Sequence, residues 1–155
     1  MPLEIERKFI VDTNRLSLSG SGKRYRQGYL PAAGKTSVRV RICDDAAWLT
    51  LKGETVGASR LEFEYSIPVE DAAHILESLC TGSIIDKTRH LLDHAGHTWE
   101  IDIFAGDNAG LVIAEVELQS EDEAVELPDW AVEEVTRDSR YYNANLVRNP
   151  YCSWK

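Results

Sequence analysis

Among the stretches of this sequence that set two side chains of like charge two residues apart are Glu4 and Glu6, Arg39 and Arg41, Glu62 and Glu64, Lys87 and Arg89, Glu100 and Asp102, and Glu115 and Glu117. Lys8, Lys52 and Arg60 share the parity of their neighbours in this pattern. On a β-strand, residues i and i+2 lie on one face about 7 Å apart. Two like charges at that separation repel by about 2 kcal/mol at an effective dielectric near 20. Any one pair reads well enough as the solvated side of an ordinary strand. Eight acids in four same-sign pairs and seven bases, four of them in two such pairs, read differently, because a solvated face gains by mixing signs. The sorting predicts faces that converge on a shared interior, with carboxylates gathered about a cation and bases about an anion.

The elements that must present these faces are strands. Glu4 to Val11 alternates Glu4, Glu6 and Lys8 against Ile5, Phe9 and Val11. After a Ser/Gly-rich loop at Ser17–Gly22, strands are expected at Lys23–Leu30, Thr36–Cys43 (Arg39 and Arg41 against Val38, Val40 and Ile42), Ala47–Lys52 and Arg60–Ile67. Pro31–Gly34, Asp44-Asp45 and Gly53–Gly57 supply the turns and loops between them, and Pro68 ends the last. Ile84–Leu92, Thr98–Phe104 and Leu111–Leu118, separated by turns at Gly96 and Gly106–Gly110, complete eight.

One helix interrupts them. From Glu70 to Thr81 the apolar residues Ala72, Ile75, Leu76, Leu79 and Cys80 recur at helical spacing, acids stand at the start, and Gly82 is expected as the C-cap. Glu121–Glu126 and Pro128–Glu134 are expected as short helices, and Ser139–Leu146 as a last one capped by Asp138 or Ser139. The fold class is mainly β (α+β). Eight antiparallel strands close into a barrel whose polar lumen takes one small ligand. Apolar faces then point outward, and because so few helices can cover only part of them, a homodimer is expected.

Length and charge bound the function. The 155 residues, 43% hydrophobic and without a linker-like tract, fit a single domain spanning 1–155. A net charge of −9 excludes an extended nucleic-acid surface, so an anionic partner must bind at a concentrated local site. With neither a long apolar run nor a leader, a cytoplasmic protein without membrane association is expected. Cys43, Cys80 and Cys152, odd in number and widely spaced, fit reduced thiols rather than a disulfide framework or a zinc site.

The ordered series Glu4-x-Glu6-x-Lys8, Gln27-Gly28-Tyr29-Leu30, Arg39-x-Arg41, Lys52, Glu62-x-Glu64, Lys87-x-Arg89, Asp102, Glu115-x-Glu117 and Arg140-Tyr141-Tyr142-Asn143-Ala144-Asn145-Leu146 resembles the CYTH superfamily, the triphosphate tunnel metalloenzymes, and within it the bacterial inorganic triphosphatases. The resemblance covers nearly the whole chain and implies an eight-stranded tunnel, a divalent metal on carboxylates and a substrate carrying a triphosphate. The chemistry of the residues agrees. Mg²⁺ (or Mn²⁺) takes a few carboxylates together with substrate phosphates. Glu4, Glu6, Glu115 and Glu117 are the first candidates for metal, with Asp102, Glu62 and Glu64 ahead of Glu100 as alternatives. Arginine forks and lysine charge suit phosphate, which assigns Arg39, Arg41, Lys52, Arg89 and Lys8 to the substrate, with Arg60 as a weaker candidate.

Lys87, crowded by cations, is expected to have a lowered pKa and to take a proton from the attacking water, with Tyr29 sharing or orienting it. A Lys-Tyr pair is also what the resemblance suggests; the alternatives are a Lys87 that only binds phosphate and a metal-bound hydroxide. Trp48, on the parity of Lys52, could stack on a base or plug the mouth. His90, His94 and His97 read as hairpin residues, and Trp99, Trp130 and Trp154 as packing residues. Class IV adenylyl cyclases usually carry a His-Phe pair where this chain has Met1-Pro2-Leu3. Inorganic tripolyphosphate is therefore the first substrate, ahead of nucleoside or thiamine triphosphate and the cyclase reaction. A polyphosphate or nucleotide sensor without turnover is the non-enzymatic alternative.

Overall fold

The computed structural model describes residues 3–154; the Met1-Pro2 part of the N-terminal departure just noted lies outside them. Strands β1 (Leu3–Val11), β2 (Lys23–Leu30), β3 (Ser37–Cys43), β4 (Ala46–Lys52), β5 (Ser59–Ile67), β6 (Thr81–His94), β7 (His97–Phe104) and β8 (Val112–Glu117) form one antiparallel sheet ordered β5-β4-β3-β2-β6-β7-β8-β1. The pairing of Leu3 with Leu61, Glu4 with Arg60 and Ile5 with Ser59 closes it into a barrel. The eight expected strands all form, and apart from β2, whose Arg24 and Arg26 are exposed on the outside, they turn charged side chains inward.

A ninth strand stands where a helix was expected. Ala131–Glu134 (β9) pairs with the end of β1 at Phe9, Ile10 and Val11 across a bulge, because Ala131, Val132 and Val135 suit a pleated edge better than a helical face. Glu121–Glu126 is turn and coil, held by side-chain bonds from Glu123 to the Gln119 backbone N–H at 2.6 Å and from Glu121 to that of Ala58 at 2.7 Å. The terminal segment divides into a 3-10 turn at Ser139–Tyr141, whose Asp138 cap accepts from the Arg140 N–H, and a short helix α2 (Asn143–Leu146). Helix α1 (Val69–Ser78) closes on Leu79, earlier than expected. Gly82 is not its cap: with φ +74 it lies inside β6, where a Cβ would stand 2.4 Å from the Val147 carbonyl.

Three apolar clusters support the tunnel. Outside β1, β7 and β8, Phe9, Trp99 and Trp130 pack ring to ring with Ile101 and Val116, under the connecting segments that contribute Leu16 and Val125. Outside β3 and β4, Val40 and Ala47 meet Ala72 and Leu76 of α1. Helix α1 comes this close because Gly28 lacks a side chain: a Cβ there would lie 2.8 Å from Cys80 Sγ and 3.0 Å from Leu76 Cδ2. The third cluster is internal. Ile85, Phe104 and Ile113, on the inward parity of their strands, join Val135, Leu146 and Val147 as an apolar floor beneath the charged section. The lumen is thus polar over only part of its length. Covering segments hide more of the outer surface than helices alone could, yet Leu51, Phe63 and Tyr65 on β4 and β5 stay exposed. Among the described residues no helix is long and apolar enough to cross a membrane.

Candidate active site

Closing the sheet sorts the charged pairs by wall. Around the barrel, β7, β8, β1 and β5 are consecutive and present Glu100, Glu115, Glu4, Glu6, Glu62 and Glu64; β4, β3, β2 and β6 are also consecutive and present Lys52, Arg39, Arg41, Lys87 and Arg89. Lys8 and Arg60 are the cations on the acidic side. Between the walls lies a cavity of about 620 Å³. A bulge between β2 and β6 at Gln27–Tyr29 adjusts the local register, as bulges near functional sites commonly do. Gln27 and Tyr29 both remain buried there.

Most of these charges are paired. Lys8 bonds Glu115 at 2.9 Å, and Lys52 bonds Glu4 at 3.0 Å and Glu62 at 3.3 Å. Arg60 lies 3.6 Å from Glu4. Arg89 is the hub: its Nε and Nη2 grip the two oxygens of Asp102 at 2.7 and 2.8 Å, with Glu100 at 3.1 Å and Glu115 at 3.3 Å. Lys87 Nζ stands 2.8 Å from the same Asp102. Both oxygens of Asp102 are therefore committed to protein cations, and it lies behind the cavity surface. Glu100, ranked behind it in the sequence, lines the cavity instead. Glu117 pairs with Glu6 across the strands but is exposed and outside the lining. Trp48 is half-buried and also outside it.

Two ionisable side chains stand out because, among the described residues, no opposite charge pairs with them. Among the described residues Glu6 has no ion pair or hydrogen bond from its side chain. Burial, then Glu115 and Glu4, push its carboxyl up to about 8. Arg41 is its counterpart on the opposite wall. Among the described residues it makes no ion pair, and burial together with Arg39 and Arg89 pulls its guanidinium down to about 10. Arg41 Nε donates to Gln27 Oε1 at 2.8 Å, and its guanidinium carbon sits 4.9 Å from the Tyr25 ring centroid. Its neighbour Arg39 reaches Thr50 at 3.2 Å and only the edge of Glu64 at 3.5 Å, and its buried Nε has no partner.

Cations settle two of the other lining carboxylates, Glu4 and Glu115, whereas burial raises Glu100 against the pull of Arg89. Burial raises Glu4, but a hydrogen bond with Glu62 and the charges of Lys52 and Arg60 outweigh it and hold Glu4 at about 2. That bond, with burial, lifts Glu62 to about 7, so the two share a proton. Lys8 and Arg89 hold Glu115 well below the usual range despite burial. Lys87 behaves as expected from its crowding: burial first, then Arg89 and Arg41, bring it down to about 7, against the pull of Asp102.

The C-terminal segment completes the site, although no charged pair marks it in the sequence. Ser139, Tyr142, Asn143 and Arg148 line the cavity, as do Lys35 and Glu54 from loops. Asn143 Oδ1 accepts from Lys87 Nζ at 3.0 Å and from Gln27 Nε2 at 3.2 Å, and Gln27 Nε2 also reaches Tyr29 Oη at 3.3 Å. The only signal for Asn143 was its place in the polar-aromatic run Arg140–Leu146. His94 and His97 sit in the β6–β7 hairpin, bonded to Glu126 at 3.5 Å and Glu123 at 2.5 Å.

Comparisons with known proteins agree with this geometry. The profile of the CYTH domain family matches residues 2–151. An inorganic triphosphatase of Acetivibrio thermocellus is 50% identical over 155 residues, covering 100% of this chain and 99% of that one. An inorganic triphosphatase of Nitrosomonas europaea is 39% identical over 154 residues, covering 93% and 96%. The crystal structure of the inorganic triphosphatase NE1496 superposes with a TM-score of 0.66 at 35% identity, covering 93% of each chain.

Proposed function

The chain belongs to the CYTH domain family, and from that premise we propose that it hydrolyses inorganic tripolyphosphate to diphosphate and phosphate within one tunnel domain. The observation that carries this reading is the pair of ionisable groups with no ion-pair partner among the described residues, Glu6 and Arg41, on opposite walls of one cavity. A divalent cation relieves the first and a phosphate chain the second, and a metal-bound triphosphate supplies both.

The residues fit such an ion. Glu6 with Glu115, Glu4 and Glu62 would hold Mg²⁺ or Mn²⁺, and Glu64 is a further candidate at the margin. Among the described residues no three acids, histidines or cysteines already converge as a metal cluster. Phosphate oxygens would therefore complete the coordination, as is usual for Mg²⁺. When bound, the ion supplies charge neutralisation for the phosphates. Arg41, which makes no ion pair among the described residues, and Arg39, whose Nε has no partner there, grip the phosphate chain, while Lys52, Lys8 and Arg89, each shared with a carboxylate, add positive field. Lys87 takes a proton from water as the water oxygen bonds to the terminal phosphorus. The bridging P–O bond breaks, and its electron pair leaves with diphosphate. Tyr29 orients that water. The rest is positioning and charge stabilisation, which is most of phosphoryl transfer.

The lining favours an inorganic chain. Its aromatic residues are Tyr29 and Tyr142, and Trp48, the one aromatic that offered a stacking platform for a base, lies elsewhere. We infer further that two copies meet over Leu51, Phe63 and Tyr65, which light scattering on the eluted protein tests, and that the protein works in the cytoplasm, where its three free thiols stay reduced. The functional reading is tested by kcat/KM for phosphate release from tripolyphosphate, ATP and thiamine triphosphate. Tripolyphosphate is expected to lead by at least tenfold; equal or better use of a nucleotide overturns the assignment.

A further inference from the structure

Lys87 Nζ has three substituent positions beyond its carbon. Two are filled: Asp102 Oδ2 at 2.8 Å and Asn143 Oδ1 at 3.0 Å. Both partners are acceptors, so each takes a hydrogen. A neutral amine has two hydrogens and one lone pair, so the position left over is the lone pair, and in the ammonium it is the third hydrogen. Asn143 and Lys87 both line the cavity.

The carboxamides have a fixed sense. Arg41 Nε can only donate, so the Gln27 atom 2.8 Å from it is the oxygen, and Gln27 Nε2 must face Tyr29 Oη at 3.3 Å and Asn143 at 3.2 Å. Lys87 likewise fixes the Asn143 oxygen. Tyr29 Oη is thereby made an acceptor, and its own hydrogen is left for the cavity. Gln27 is fully buried, so this chain of two neutral groups, joining Arg41 to Lys87, is shielded from competing water.

We propose that Asn143, backed by Gln27, is a positioning residue for hydrolysis, holding Lys87 and Tyr29 so that the open position on Nζ and the tyrosine hydrogen both face the attacking water. This rests on the triphosphatase reading above. The groups facing Lys87 from the packed elements are Asp102 on β7, Arg89 on β6, Arg41 on β3 and Glu115 on β8, with the Phe104 ring 5.5 Å away. Asn143 is the neutral acceptor among them, so changing it moves Lys87 in a direction set by the replacement.

The test uses the full chain with Asn143→Ala and Asn143→Asp. Loss of the acceptor in Asn143→Ala disfavours the ammonium and moves the rising alkaline limb of kcat to lower pH; a carboxylate in Asn143→Asp moves it to higher pH. Both variants should lose at least about tenfold in kcat at the wild-type optimum while KM for tripolyphosphate stays within about threefold. Carbon-13 labelling of the lysine Cε follows Lys87 without substrate, and its titration should shift in the same opposed directions. Limbs that stay put or move together overturn the proposal, as does an opposed NMR shift without any loss of kcat. A wild-type protein that releases no phosphate from tripolyphosphate removes the functional reading instead. The NMR titrations then still decide whether Asn143 sets the Lys87 proton.

Discussion

Replacing Glu6 with glutamine should make the metal-free protein more stable. Its carboxyl is pushed up to about 8 from an ordinary 4.5 by burial and by Glu115 and Glu4. A carboxyl raised on folding costs nothing below its unfolded value, and each pH unit above that value removes about 1.4 kcal/mol until the folded value is reached. At pH 7 the gap above 4.5 is 7 − 4.5 = 2.5 units, an upper limit of about 3 kcal/mol. Glu6 is half-buried beside a wide polar cavity, and screening there reduces the expected gain to about 1–2 kcal/mol. For a chain of this length that is about 3–6 °C in Tm. Thermal unfolding in chelator should show Glu6→Gln melting above wild type at pH 8, with the difference vanishing near pH 4.5. Adding Mg²⁺ should raise the wild-type Tm and leave that of Glu6→Gln nearly unchanged. A mutant that melts below wild type at pH 8 in chelator would refute the reasoning, since Glu6 would then be stabilised by a partner rather than strained by like charge.

Glu115→Gln should act in the opposite sense. Its carboxylate is held down by Lys8 at 2.9 Å and Arg89 at 3.3 Å, so it stabilises the fold above its ordinary pKa and that stability is lost as pH falls. Urea unfolding at pH 7 should show a loss of about 3 kcal/mol. Lys87→Ala should cut kcat, change KM little, and remove the limb that rises as Lys87 loses its proton near pH 7; Tyr29→Phe should lower kcat and keep the limb. A rising limb that survives unshifted in Lys87→Ala would assign the proton to another group. Arg41→Ala should raise KM for tripolyphosphate more than tenfold while its apo Tm rises or stays level, because Arg41 has no ion pair to lose among the described residues; an unchanged KM counts against its place on the phosphate.

The alternation of charge was enough to define most of the strands and their inward faces, because most have a charged side turned to the lumen; β2 is the exception, with Arg24 and Arg26 exposed outside and the uncharged Gln27 and Tyr29 buried inside. The alternation could not separate Glu100 from Asp102. They share a face, and only the placement of Arg89 and Lys87 commits Asp102 to the wall. Glu117 has the right parity but lies at the end of β8, where facing inward no longer means facing the cavity. Strand β9 escaped notice because four residues with two acids carry little period, and their pairing depends on β1 rather than on their own pattern. Inward Ile85, Phe104 and Ile113 broke the expectation of a wholly polar lumen, since the chain end supplies Leu146 and Val147 as their partners. Asn143 carries no charge and sits outside any strand; its importance comes from what it touches.

The account stands or falls on whether the two opposed walls turn over a metal-bound triphosphate. Phosphorus-31 NMR of tripolyphosphate with the protein follows this directly. With Mg²⁺ present, diphosphate and phosphate should appear in equal amounts as tripolyphosphate disappears, and excess chelator should stop the conversion. Tripolyphosphate that binds and persists with Mg²⁺ would make the tunnel a sensor, and unabated conversion in chelator would contradict the role given to Glu6 and its neighbours.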